Sequence, residues 1–208
     1  MQKIGAKRII LTIMFSVFGS LLFSGNASAL TFTVTSTADS GAGTLREAIT
    51  SANANPGADQ IDFNITGSGP HEIIATGYLP EITEETFING ASQPGTVCGT
   101  DSMQPQIILK DFKSYLGFNS NTSNSSVRGI AVPESTINVQ ADNFTLTCSF
   151  VGTQNGTTGV NIGKVNIDPN VTGVIIGGNN DTDRNIFAGE NNIASALYVH
   201  NGSSATVN

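Results

Sequence analysis

The hydrophobic period changes twice between residues 31 and 65. In "TFTVTST", Phe32 and Val34 alternate with threonines, the period of two that marks a half-buried strand. The apolar positions then become Leu45, Ala48, Ile49 and Ala52, spaced i, i+3, i+4 and i+7, which draws one stripe along a helix. "QIDFNI" returns to alternation, with Ile61, Phe63 and Ile65 on one face. Thr44 stands three residues before Glu47, the capping-box spacing in which each side chain satisfies an orphan donor of the first turn. "NANPG" ends the segment with residues that stop helices. The pattern predicts a helix of about ten residues, ~15 Å long.

The rest of the chain reads as short strands. "HEIIATG", "ETFING", "PQIILKD", "SSVRGIAV", "STINVQ", "NFTLTCSFVG", "TGVIIGG", "RNIFAGE" and "ASALYVHNG" follow one another, with turn formers in most of the gaps. An antiparallel sandwich and a parallel solenoid both accommodate such runs. No series of two-residue Asn-Gly or Asp-Gly turns joins alternating partners, as hairpins would require. Consecutive aliphatics followed by glycine or asparagine, as in "VIIGGNN", suit a solenoid coil, where a short strand meets a sharp corner. The solenoid is the better reading. Stacked coils need a cover over the terminal core and strand edges, so the helix reads as a lid over the first coil. The alternative is an amphipathic helix packed on the side of a sheet.

The first 29 residues carry a different signal. Lys3, Lys7 and Arg8 precede an apolar run from Ile9 to Phe23, and Ala27 and Ala29 complete an A-x-A pattern before Leu30. This is the layout of a cleaved secretory signal peptide. No second long apolar run follows, so no transmembrane segment is expected in the mature chain. Cleavage would leave six basic residues against 16 acidic ones, a formal charge of −10. Scattered cations and a strong negative balance argue against a nucleic-acid partner. Export permits a bridge between the two cysteines, Cys98 and Cys148; two buried free thiols are the alternative. The absence of CxxC spacing and of a Cys/His cluster argues against zinc.

The stretch "TFTVTSTADSGAGTLREAITSANANPGADQIDFNI" resembles the start of exported bacterial proteins that carry a CSLREA-type motif and right-handed parallel β-helix repeats, within the pectin-lyase-like superfamily. The motif's core corresponds to Leu45, Arg46, Glu47 and Ala48; Thr44 takes the place of its serine and Gly43 of its cysteine. "LPEITEETFINGASQPG", "CSFVGTQNGTTG" and "IIGGNNDTDRNIFAGENN" are similar to later repeat elements of that family. The resemblance implies an all-β, right-handed parallel β-helix with a short N-terminal capping helix. It divides the chain into a signal peptide (1–29), a strand–helix–strand cap (30–70) and β-helix coils (71–208). It implies export to the cell surface, with outer-membrane association among the locations, or secretion. It assigns no activity.

β-Helices often act on polysaccharides. A calcium-dependent lyase needs acidic groups converging with a basic residue, and a hydrolase needs paired carboxylates at a set separation. The candidate groups are Asp111 with Lys110 and Lys113, Asp142, Asp168 with Lys164, and Asp181 and Asp183 with Arg184. They are dispersed and read as turn residues. "GGNNDTDRNIFAGE" has the glycine–aspartate order of calcium-binding nonapeptide repeats, but one copy fits a structural corner better than a shared-ion site. Arg46 has Asp39 or Asp59 as a partner, and His71 and His200 stand without a nucleophile pattern. No catalytic, cofactor-binding or metal-ligating residue is assigned, and no cofactor is expected. The expected role is structural, adhesive or glycan-binding, with a polysaccharide or cell-surface glycan as partner; a lyase or hydrolase of the pectin-lyase-like class is the alternative. At the other end, Leu197, Val199 and Val207 keep the strand rhythm, and no second lid follows. Further coils, or a partner chain, are expected at that edge.

Overall fold

The computed structural model describes residues 28–99, 102–110, 115–157, 163–188 and 196–208; Asp111, Lys113 and nearly all of the predicted leader lie outside them. The chain opens with strand β1 (Thr31–Val34) and helix α1 (Leu45–Ala54), then enters a repeating circuit. In the first circuit β2 (Asp59–Phe63) and β3 (His71–Ile73) are followed by an isolated bridge at Ile82. β4 (Thr86–Asn89), β5 (Ile107–Leu109) and β6 (Tyr115–Phe118) repeat it. β7 (Ser126–Arg128), β8 (Ile130–Val132) and β9 (Thr136–Val139) come next. β10 (Thr145–Thr147), β11 (Phe150–Val151) and β12 (Lys164–Ile167) follow. β13 (Val174–Ile176), β14 (Ile186–Phe187) and β15 (Leu197–Val199) complete the last, and β16 (Ala205–Val207) opens another.

The first strand of every circuit joins one sheet, ordered β1-β2-β4-β7-β10-β13-β16. The second strands form the sheet β3-β5-β8-β11-β14, and the third form β6-β9-β12-β15. The pairing is parallel in all three sheets. Parallel neighbours cannot be joined by a tight hairpin. Here the return connection is made by the strands of the other two sheets.

Two of the runs read as single strands are broken by corners. "SSVRGIAV" bends at Gly129 (φ 74°), which separates β7 from β8, and "NFTLTCSFVG" bends at Cys148 (φ 51°), which separates β10 from β11. The left-handed conformation turns the chain from the first sheet into the second within one residue at Gly129 and two at Cys148–Ser149. At Gly129 a side chain would run into the backbone of Ala91 in the preceding circuit, so glycine is also required by space.

Parallel register stacks like residues. Ile61, Ile88, Val127, Leu146 and Ile176 form one fully buried file on the inner side of the first sheet. Leu116, Ile137 and Val165 do the same in the third sheet. Each such side chain contributes roughly 1.5–3 kcal/mol by leaving water.

Helix α1 stands between β1 and β2, where later circuits insert strands of the other two sheets. Its predicted stripe, Leu45, Ala48, Ile49 and Ala52, is buried in this same core. Asn53 ties the helix to the third-sheet side, donating to the Glu81 carbonyl (2.7 Å) and accepting from the Thr83 N–H (2.9 Å). The cap differs from the predicted box in one bond. Thr44 Oγ1 accepts from the Glu47 N–H (3.3 Å), but the Glu47 carboxylate reaches the Gly43 N–H (2.5 Å) instead of that of Thr44. The Gly43 carbonyl takes the N–H groups of Thr35 (2.8 Å) and Ser36 (3.0 Å), locking the end of β1 to the helix start. Gly43 has φ 73°, and a side chain there would collide with Thr35 Oγ1.

From β5 to β14 the second sheet is apolar on both faces. Its outward row of Ile108, Ala131, Phe150 and Ile186 packs with Met103, Cys98 and Cys148 in a second cluster. Cys98 and Cys148 form a disulfide with a Cα–Cα distance of 5.4 Å. The bridge that the sequence left open therefore pins Cys98 over this face.

Candidate binding face

The third sheet presents its other side to solvent, and that side collects a distinctive set of groups. In strands the side chains alternate between faces, so Leu116, Ile137 and Val165 point inward while their neighbours project. The outward rows are Tyr115, Thr136 and Lys164, then Gly117, Asn138, Asn166 and Tyr198. Gln140, Asp168 and His200 extend them just beyond the strand ends.

The polar side chains are already organised. Asn166 Nδ2 donates to Asn138 Oδ1 and to Asp168 Oδ1, each at 2.7 Å. Gln140 Nε2 donates to Asp168 Oδ2 (3.0 Å), and His200 Nε2 lies 3.0 Å from Asn166 Oδ1. Both oxygens of Asp168 thus receive amide protons. Such a network fixes the orientation of each amide and leaves a pre-set array of polar edges.

Aromatic rings flank this array. The chain has three tyrosines and no tryptophan, and all three tyrosines lie on this side. Tyr78 precedes the Ile82 bridge and is 67% exposed; Tyr115 is 36% and Tyr198 43% exposed. The rings of Tyr78 and Tyr115 are 5.6 Å apart at 53°. A Cβ at Gly117 would meet Tyr115 Cε2 at 2.7 Å, so the Tyr115 ring lies across the space that the glycine leaves. At the other end Lys164 Nζ stands 5.6 Å from the centroid of the Tyr198 ring, in cation–π range. Three inter-strand steps separate Tyr115 from Tyr198, a span of about 14 Å.

The other candidate groups are placed apart from this face, in structural roles. Arg46 pairs with Asp39 (2.6 Å), not Asp59, and also donates to the carbonyls of Asp39 (3.0 Å) and Tyr78 (2.6 Å). The hydrogen bonds from Arg46 and then Thr76 hold the Asp39 carboxyl below its ordinary range. Asp183 pairs with Arg128 (3.0 Å), not with its neighbour Arg184. The Asn180 amide, with Arg128 adding to it, keeps the Asp183 carboxyl low against the opposing effect of burial. Asp142 accepts from the Thr172 N–H (2.6 Å) and hydroxyl (3.1 Å), as a turn residue does. Lys110 pairs with Glu72 (3.2 Å), which also receives Gln154 Nε2 (3.1 Å). His71 is buried. Of these candidates Lys164, Asp168 and His200 share the third-sheet face, while Asp181 and Arg184 line a separate concavity. Concavities also lie elsewhere, among them one of about 630 Å³ beside Gly99, Asn180, Asp181, Arg184 and Asn208, and one of about 510 Å³ beside Met103, Phe150 and Gln154. Among the described residues no three His, Cys, Asp or Glu side chains converge as a metal site, and no helix is long and apolar enough to cross a membrane.

Compared with known protein families, curated proteins and solved structures, the chain matches none. The face therefore has to be read from its own chemistry.

The sequence reading passed over β6 and β12, two of the four strands that carry the face. Each has only two inward apolar residues, with Gly117 or Asn166 between them. A usable signal was present. "INV", "VNI" and "LYV" repeat an apolar–polar–apolar triplet in successive circuits, and the middle position is the projecting one.

Proposed function

We propose that this chain is an exported β-helix module, secreted or held at the cell surface, that binds an uncharged polysaccharide along the outer face of the third sheet. Three all-parallel sheets visited in strict rotation support a right-handed parallel β-helix, because parallel crossovers are right-handed in nearly all cases. The position of α1 between β1 and β2, with its stripe in the core, supports a capping role at the N-terminal end. The observation that carries the binding reading is the collection of every tyrosine in the chain onto one side, around an amide and carboxylate array. Sugar rings offer apolar C–H faces and equatorial hydroxyls. Exposed tyrosines give the first a flat partner, and side-chain amides and carboxylates give the second paired donors and acceptors. The formal charge of −7, or −10 after cleavage, disfavours an acidic glycan.

The test is affinity electrophoresis and calorimetry against neutral and acidic polysaccharides, with and without calcium. Retention by a neutral polymer is expected. Replacing Tyr115 and Tyr198 by alanine should weaken it at least tenfold, about 1.4 kcal/mol, without changing the melting temperature by more than a few degrees. Gly117→Ala should weaken it as well, by displacing the Tyr115 ring. Retention unaffected by these changes would overturn the assignment of the face. Release of unsaturated or reducing ends would replace the binding reading with an enzymatic one.

A further inference from the structure

Asp59, the first residue of β2, is completely buried, yet its two carboxylate oxygens are treated unequally. Oδ1 accepts from the backbone N–H of Leu30 (2.9 Å) and from Asn55 Nδ2 (2.8 Å). Oδ2 has no hydrogen-bond partner among the described residues. No Lys, Arg or His among them forms an ion pair with this carboxylate either. Burying an ionised carboxylate with one oxygen unsatisfied is costly, and buried charges are as a rule paired. An asparagine would fill the same space without burying a charge.

The nitrogen that already touches Asp59 belongs to Leu30, the residue after the Ala27-Ser28-Ala29 cleavage pattern. We propose that removal of the leader completes this site: the new α-ammonium of Leu30 forms an ion pair with Asp59 and fastens β1 to β2. The inference rests on the exported reading above. Hydrolysis of the Ala29–Leu30 bond adds water, leaving a carboxylate on Ala29 and an amine on Leu30. With an ordinary α-amino pKa of about 7.7–8.0, that amine is protonated at neutral pH. One N–H becomes three donors and a positive charge, enough to serve both oxygens of one carboxylate. Two contacts of the uncleaved chain are given up. These are the Ser28 N–H to the Pro56 carbonyl (3.2 Å) and Asn55 Nδ2 to the Ser28 carbonyl (2.8 Å). Asn55 keeps its bond to Asp59.

The test compares chains that begin at Leu30 with chains that begin at Ser28, each with Asp59 and with Asp59→Asn, by denaturant unfolding. The Leu30 start should raise the folding equilibrium constant about 10- to 100-fold in the parent background, as a charged hydrogen bond would, and less than about twofold in the Asp59→Asn background, where no charge is left to pair. Should Asp59→Asn fail to fold, Nα-acetylation of the Leu30 chain gives the second arm. It keeps the N–H, removes the charge and should abolish the gain. A gain that survives acetylation, or no gain at all, overturns the ion pair. N-terminal sequencing of exported protein tests the processing separately. A start at Leu30 supports it, and any other start overturns the cleavage site without touching the stability comparison.

Discussion

Replacing Cys98 and Cys148 by serine removes a cross-link whose ends are 50 residues apart in sequence. Chain-entropy reasoning assigns about 4 kcal/mol to a loop of that length. The bridge also holds Cys98 against the second cluster, so the loss is local as well as global. Cys98 packs against the cluster of Met103, Ile108, Ala131 and Phe150, and its neighbours are otherwise fastened by the paired Val97–Gln104 bonds (3.1 and 2.9 Å) and by the Thr96 hydroxyl. Cys148 adds a second contribution, because it holds φ 51° with a side chain present. A glycine in its place should recover about 1 kcal/mol relative to serine. The prediction is therefore a ladder. Urea unfolding should find the double variant Cys98→Ser with Cys148→Ser up to about 4 kcal/mol less stable than the oxidised parent. Cys98→Ser with Cys148→Gly should stand about 1 kcal/mol above that double-serine variant. Limited proteolysis of the double-serine variant should cut first between residues 93 and 106. Two free thiols by mass measurement without reductant would refute the bridge. Equal stability of the two double variants would refute the strain argument.

Three further outcomes are expected. Leu45→Asp with Ile49→Asp places two carboxylates in the core, and should cause misfolding or aggregation on expression; unchanged solubility and melting would show that α1 does not seal the core. Gly43→Ala should cost roughly 1–3 kcal/mol, because it strains φ 73° and collides with Thr35, and a melting curve matching the parent would contradict that. The Asp183 carboxyl titrates below its ordinary range in the folded chain, so its stabilising effect is present above about pH 4 and is lost as pH falls through the depressed value. Asp183→Asn should accordingly differ from the parent most at neutral pH, with the gap closing on acidification; a gap that widens toward pH 3 would reverse the assigned sign.

Much of the architecture was readable because its determinants are local. The α1 stripe needs only its own period, and all four residues that define it are buried. Parallel stacking was legible in consecutive aliphatics such as Val174, Ile175 and Ile176, although Ile175 projects outward. The corners were harder. A bend at Gly129 or Cys148 depends on one backbone angle, and a run such as "SSVRGIAV" has the same hydropathy straight or bent. Cys148 in particular carries no sequence mark of a left-handed residue; its conformation goes with a bridge to a residue two circuits away. The binding face was invisible for a different reason. Tyr78, Tyr115 and Tyr198 become neighbours of one array only when β6, β9, β12 and β15 are laid side by side, and no local window holds more than a fragment of it. The same holds for Arg128 and Asp183, 55 residues apart in the chain.

Rotation through three sheets makes the third-sheet face a ruler. Each circuit contributes one strand to it, so each added circuit lengthens the face by one strand spacing, about 4.8 Å. Its projecting residues, Asn138 and Asn166 for example, are bonded to each other across 28 residues of sequence. A substitution at one projecting position rewrites a single rung while the inward file of Leu116, Ile137 and Val165 stays as it is. Under the proposed glycan-binding role, selectivity and the length of polymer held can therefore vary independently, the first by exchanging rungs and the second by adding or deleting circuits.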